Sequence, residues 1–409
     1  MKNKIGFYPA NILVPKDIDL QKWSVVACDQ YTSQPEYWNE VEEFVGGCPS
    51  ALKISFPEIY LEQGDGDKRI ANINSNMNDY LKQDLFCEYK DSFVYIERTQ
   101  RDGKIRRGII GAVDLDCYDY AVPNDALIRA TEGTVLERIP PRVKIRQDAP
   151  LEMPHIMLLI DDEDKTVIEG IDKDSIKKIY DFDLMQDSGH ICGYLIDDTQ
   201  KIQDGLFNLM QKQNSDAPLL FAVGDGNHSL ATAKACWENI KAQGVEDIEN
   251  HPARYALVEV VNIHDTSLEF EPIHRVIFDC DKDDIVESFK EYAGADDNMN
   301  ADAQKVIFVV DGKELVLYAH SPKSKLEVGT VQKFLDEYVK SHSCKIDYIH
   351  GEDVVFDLSK GNNVGIILPP MQKSDLFPAI MADGVLPRKT FSMGHACDKR
   401  FYLECRKIK

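Results

Sequence analysis

The chain has 409 residues, 43% of them apolar and 29% charged, enough to bury a substantial core in two or three lobes or in one large α/β unit. Its 70 acidic residues outnumber its 47 basic ones, for a formal net charge of −23. That field repels nucleic acid and anionic membranes and sets both aside as main partners, while leaving room for a local positive pocket around a small anionic substrate.

The opening stretch MKNKIGFYPANILVPKDIDL is too polar for the core of a secretory leader. "PEYWNEVEEFV" (35–45) carries apolar residues at helical spacing, "SFVYIERT" (92–99) alternates as a strand does, and "RRGIIGAVDL" (106–115) is its expected hairpin partner across "QRDGK". Pro140-Pro141 breaks a helical pattern, and "HIMLLID" (155–161) reads as a buried strand. Residues 201–213 read as helix and 217–223 as strand. Further strands are expected at 254–263, 305–312 and 364–370, with a helix at 330–341 and an exposed loop at 294–305. This alternation predicts a mixed α/β, α+β fold. The expected lobes are 1–120, then 121–290 holding the chemistry, then 291–409.

No run of 18 apolar residues is present, so no membrane helix is expected. The ten cysteines, at 28, 48, 87, 117, 192, 236, 280, 344, 397 and 405, form no CxxC pair. They predict neither a zinc knuckle nor a disulfide framework, but buried thiols in a reducing cytoplasm.

The most informative stretch is "LLFAVGDGNHSLATAKACWE" (219–238). An apolar strand stops at Gly224-Asp225-Gly226-Asn227-His228, and Leu230, Ala233, Trp237 and Ile240 then recur as one helical stripe. The loop thus sits at a strand's carboxyl end and a helix's amino end, where unpaired N–H groups and the helix dipole favour an anion. Gly224 and Gly226 allow close ligand approach. Asp225 would repel phosphate unless a Mg²⁺ stands between them. The same junction also serves as a simple tight turn with a polar cap. GxxxxGK[ST], GxGxxG after a strand, HExxH and GxSxG are absent, and "DDNMNA" (296–301) lacks the glycine and glutamate of a calcium loop. Trp38 and Trp237 read as core.

Five stretches in order carry a family resemblance: "IRATEGT" (128–134), "VGDGNHSLATA" (223–233), "EPIHRVI" (271–277), "YIHGEDVVFDL" (348–358) and "LPRKTF" (386–391). Together they resemble the bacterial and archaeal family of domain of unknown function 1015. Its Val-Ala-Asp-Gly-His-His-Arg box is in turn similar to the phosphate-contacting box of the ParB/sulfiredoxin superfamily, which includes free-serine kinases. The resemblance implies a ParB/sulfiredoxin-like core with additional lobes. It also implies phosphoryl transfer from ATP, ADP or pyrophosphate to a small hydroxyl compound, with L-serine giving O-phosphoserine as the natural expectation. The alternatives are a nucleotide- or metabolite-binding regulatory protein without catalysis, and a sulfiredoxin-type enzyme. The last lacks its thiol, because Asn227 stands where that cysteine would be.

Under the resemblance, Glu132, Asp225 and His228 are the catalytic group. Glu132 acts as general base, and Asp225 holds Mg²⁺. Gly224, Gly226, Asn227, Ser229 and Lys389 fall to phosphate, and Arg129, Thr134, His274 and Arg275 to the substrate. Asp29 and Tyr31 are further candidates from the amino-terminal lobe. Asn227 and Ser229 replace a His and an Arg of the family box, which removes a cation from the phosphate cradle, and Ala130-Thr131 replace its Pro-His. Oligomeric state is not legible from these residues.

Overall fold

A computed structural model describes residues 4–409. The chain divides into two compact units, one made of the residues up to Leu268 together with His395–Lys409, the other of Glu269–Gly394.

The first unit is built on an eleven-stranded mixed sheet. From one edge its strands run Lys177–Asp183, His190–Ile196, Phe86–Thr99, Ile105–Asp114, Tyr255–Asn262, Ile156–Ile160, Phe221–Asp225, Ile128–Ala130 and Tyr118–Asp119, with Phe7–Tyr8 and Ala10–Pro15 joined at the side. Most pairings are antiparallel. Phe221–Asp225 runs parallel to Ile128–Ala130, and Tyr255–Asn262 parallel to Ile156–Ile160. The central strands are buried on both faces, which explains why "IMLLI" and "LLFAV" read as unbroken apolar runs. One face packs against Trp23, Trp38 and the helix Pro35–Val45; the other packs against Leu230, Ala233 and Trp237 of the helix Asn227–Ala242.

The second unit carries a six-stranded antiparallel sheet, including Gln304–Val310, Lys313–Ala319, Val364–Ile367 and His274–Phe278. The helices Lys282–Ala293, Glu327–Ser341, Glu352–Leu358 and Leu376–Asp383 belong to the same unit. The fold is α+β, as expected.

The lobe boundaries differ from those expected. A cut at 120 would sever Ile105–Asp114 from its partner Tyr255–Asn262, and a cut at 290 would fall inside the helix Lys282–Ala293. The Pro140-Pro141 pair is also corrected. It opens the helix Ile139–Arg146 rather than breaking one, because a proline in the first turn gives up no intrahelical hydrogen bond. All ten cysteines are unbridged. No helix among the described residues is long and apolar enough to cross a membrane.

Candidate functional site

The strand Phe221–Asp225 ends at Gly226, whose φ of 80° is a left-handed conformation that glycine adopts without cost. A Cβ there would lie 3.0 Å from Ile156 Cα and 3.1 Å from His155 Cδ2, so the neighbouring strand also demands glycine. The sixteen-residue helix Asn227–Ala242 starts immediately, with no side chain capping it. Its first-turn N–H groups have no partner within the helix, an arrangement that, with the dipole, favours an anion.

Asp225 sits beside that terminus. Its Oδ1 accepts the Gly226 N–H at 2.9 Å, and its Oδ2 lies 3.2 Å from Lys399 Nζ. A second ion pair stands next to it: His155 Nε2 is 3.2 Å from Asp29 Oδ2, and His155 Nδ1 is 2.8 Å from the Tyr402 hydroxyl. Burial by itself would raise Asp29 and depress His155. The attraction between them outweighs it, holding the Asp29 carboxyl well below the usual range and the His155 imidazolium well above.

Lys399 is held in place by its backbone. Arg98 donates to the carbonyls of Cys397 at 2.8 Å and Lys399 at 3.3 Å, and Arg106 donates to that of Asp398 at 2.6 Å. Both arginines are buried. Glu259, fully buried, accepts from Arg106 and Arg400 at 3.2 Å each, and Arg400 also donates to Glu404, which accepts from the Tyr180 hydroxyl as well. Three guanidinium groups thus meet the Glu259 and Glu404 carboxylates beneath the segment that carries Lys399, with the Asp398 carboxylate as a further counter-charge to Arg98.

The loop bearing Glu132 is tied to the same helix terminus. The Val135 N–H donates to His228 Nε2 at 3.3 Å, so the proton of the neutral ring sits on Nδ1. Thr131 donates to the Val223 carbonyl at 2.7 Å. Glu132 is half-buried between these two anchors. Two neighbouring buried oxygens, Thr134 Oγ1 and Asn227 Oδ1, have no hydrogen-bond partner among the described residues.

Arg129 is buried, and donates to the carbonyls of Ala126 at 2.8 Å and Ala217 at 2.9 Å, which ties together the starts of two parallel strands. Ser229 faces a cavity of about 160 Å³ that also touches Cys28, Arg142, His155, Thr232 and Tyr402.

His274, Arg275 and Lys389 belong to the second unit. Both members of the His-Arg pair are buried. His274 Nδ1 accepts the Leu368 N–H at 3.2 Å, and burial depresses its pKa. Arg275 donates to Gln332 Oε1 at 3.1 Å and to the carbonyls of Ile273 and Lys389, with its guanidinium 4.8 Å from the Tyr348 ring centroid. Lys389 is exposed, with a left-handed φ of 59°.

Sequence reasoning missed Lys399, His155 and Tyr402. Lys399 and Tyr402 lie more than 170 residues from Asp225, and His155 appeared only as the first letter of a strand. Asp29 sits in this cluster, while Tyr31 stacks on Tyr37 at 3.7 Å.

A family model described as "Protein of unknown function (DUF1015)" matches residues 10–338. Among solved structures, a free serine kinase in complex with AMP aligns at 13% identity over 73% of this chain and 91% of that one, with a TM-score of 0.37. A conserved hypothetical protein from Pyrococcus furiosus aligns at 12% over 73% and 94%, with a TM-score of 0.34. A C-terminally truncated SbnI from Staphylococcus aureus aligns at 12% over 70% and 82%, with a TM-score of 0.36. Likenesses this loose carry no argument about activity. No protein of curated function matches the sequence.

Proposed function

We propose, for a chain that belongs to the DUF1015 family of proteins of unknown function, that its first unit is a small-molecule phosphotransferase acting at the Gly226 helix terminus. One observation carries this reading: the uncapped terminus lies beside Asp225, and Asp225 beside Lys399, so N–H donors, a carboxylate and an ammonium group converge.

The phosphoryl donor, ATP, ADP or pyrophosphate, lays its phosphates on the N–H groups of Asn227, His228 and Ser229, with Lys399 balancing the charge of the moving group. The oxygen donors Asp225, Asn227 Oδ1 and Thr134 Oγ1 suit a hard cation, and they are the residues that would hold Mg²⁺. When bound, Mg²⁺ neutralises charge on the phosphate oxygens. The acceptor is a small hydroxyl compound, with L-serine the first candidate. Its oxygen forms the new P–O bond as the bond to the leaving phosphate breaks, and Glu132 takes the hydroxyl proton.

The test is phosphorus NMR on purified protein with Mg²⁺ and L-serine, offering ATP, ADP and pyrophosphate in turn. A new phosphomonoester resonance matching O-phosphoserine, lost in Glu132→Gln, supports the reading and names the donor. Intact donor with serine and with a panel of hydroxyl metabolites would leave a binding module without turnover.

A further inference from the structure

A different constellation lies at the edge of the eleven-stranded sheet, on the hairpin-like pair Lys177–Asp183 and His190–Ile196. In an antiparallel pair, residues directly opposite share a face, and so do residues two apart. Asp181 is opposite Cys192, and Asp183 is opposite His190. Four side chains of metal-ligand type therefore form a rectangle on one face.

This placement depends on an irregularity. The register slips between Lys178 and Tyr180, leaving Ile179 as an extra residue. Without that bulge the pairing would shift by one, and both aspartates would turn to the opposite face. The bulge also sends Tyr180 inward over Gly193, where a Cβ would lie 2.0 Å from its ring carbon. Both strands are thus locked in the register that assembles the rectangle.

We propose that Asp181, His190 and Cys192 bind one transition-metal ion of the zinc class. The donor atoms Asp181 Oδ, His190 Nε2 and Cys192 Sγ all lie within 4.8 Å of one another, with Nε2 2.7 Å from Asp181 Oδ1 and 3.4 Å from Sγ. One imidazole, one thiolate and one carboxylate form a mixed donor set for zinc or cobalt, and leave a fourth tetrahedral position for water.

The ring is already aimed. Asp183 Oδ1 lies 2.6 Å from His190 Nδ1, the carboxylate–histidine arrangement that fixes a metal-bound imidazole and raises its basicity. The ion would take the place of the proton between Nε2 and Asp181, and the thiol proton would leave to solvent. Carboxylate and thiolate together then balance the two positive charges. This site shares no residue with the phosphate terminus and stands whether or not the chain transfers phosphate.

The test uses the full-length chain, reduced and stripped of metal, titrated with Co²⁺ and read by absorption. The expected result is one equivalent of Co²⁺ giving a thiolate-to-metal charge-transfer band with tetrahedral ligand-field bands, bleached by Zn²⁺. Cys192→Ser should abolish the charge-transfer band with an unchanged far-ultraviolet circular dichroism spectrum. Asp183→Asn should keep the band but weaken Co²⁺ binding about 10–100-fold. Should Cys192→Ser fold poorly, Asp181→Asn at the exposed corner gives the same comparison through lost affinity. Absence of the band in the unmodified protein, or its persistence in Cys192→Ser, would overturn the proposal.

Discussion

Lys399 Nζ lies 3.2 Å from Asp225 Oδ2, joining the end of a central strand to a segment near the end of the chain. Both side chains are partly shielded, so the ammonium group is poised rather than solvated. A charge-assisted contact to phosphate is worth roughly 1.5–3 kcal/mol, so Lys399→Met should weaken donor binding about 10–100-fold. Lys399→Arg should restore part of it. Isothermal titration with ADP and Mg²⁺ checks both, and unchanged affinity in Lys399→Met would take the lysine out of the phosphate site.

Glu132→Gln keeps the side chain's shape in the loop that Val135 and Thr131 anchor, and takes away the proton acceptor. Loss of a positioned base lowers turnover by about 10²–10⁴-fold while donor affinity holds. Asp29→Asn is the control. Were it to abolish turnover while Glu132→Gln did not, the base would be Asp29.

Gly226→Ala forces a side chain into a left-handed backbone and against Ile156 and His155. The cost should be about 1–3 kcal/mol of stability, read by urea unfolding. Donor affinity should fall with it, because the helix terminus must shift to make room.

The Asp29–His155 pair predicts a pH window. Asp29 is depressed below 3.8 although burial opposes this; its stabilising effect is present above its unfolded pKa and is lost as pH falls through the lower folded value. His155 is raised above 6.5, again against burial. Its effect is complete below 6.5 and is lost as pH rises through the higher folded value. The stability gap between the unmodified protein and Asp29→Asn should therefore be widest between about pH 4 and pH 6.5 and close on either side. Urea denaturation across a pH series measures it, and a gap that widened above pH 8 would contradict the pairing.

Glu259→Gln leaves the buried Arg106 without its carboxylate partner, while Arg400 keeps only Glu404. Breaking a buried pair in this way costs about 3–5 kcal/mol, a shift readily seen in thermal unfolding. The variant should also bind the donor more weakly, since Arg106 holds the Asp398 carbonyl next to Lys399.

Local signals were legible in the sequence. The stretch 35–45 forms the helix Pro35–Val45, the 92–99 and 106–115 runs form the expected hairpin, and the Leu230–Trp237 stripe packs as read. Spacing fixes such features, because helix and strand periodicity act over a few residues. The strand-to-helix junction at Asp225 and Gly226 was legible for the same reason, although the strand runs two residues past the expected end at 223. Of the partners of that junction only Asp29 was a candidate. Lys399, His155 and Tyr402 reach it through sheet order and through buried arginines binding distant carbonyls, and no periodicity encodes such meetings. Arg98 and Arg106 lie within the two runs expected as strands, and only tertiary packing makes them internal.

The return of His395–Lys409 to the first unit has a consequence for biosynthesis. Phe401–Tyr402 pairs with Val25–Val26, Arg406–Lys407 with Leu151–Glu152, and Cys405 bridges to Leu13. During translation the 126 residues of Glu269–Gly394 must emerge before these strands and Lys399 can reach the ribosome exit. A nascent chain stalled anywhere in that interval carries the strand, the helix and Asp225, but neither the lysine nor the tyrosine that complete them. The first unit therefore cannot be completed until the second has been made, and its ligand affinity should appear only after Lys399 and Tyr402 have left the ribosome.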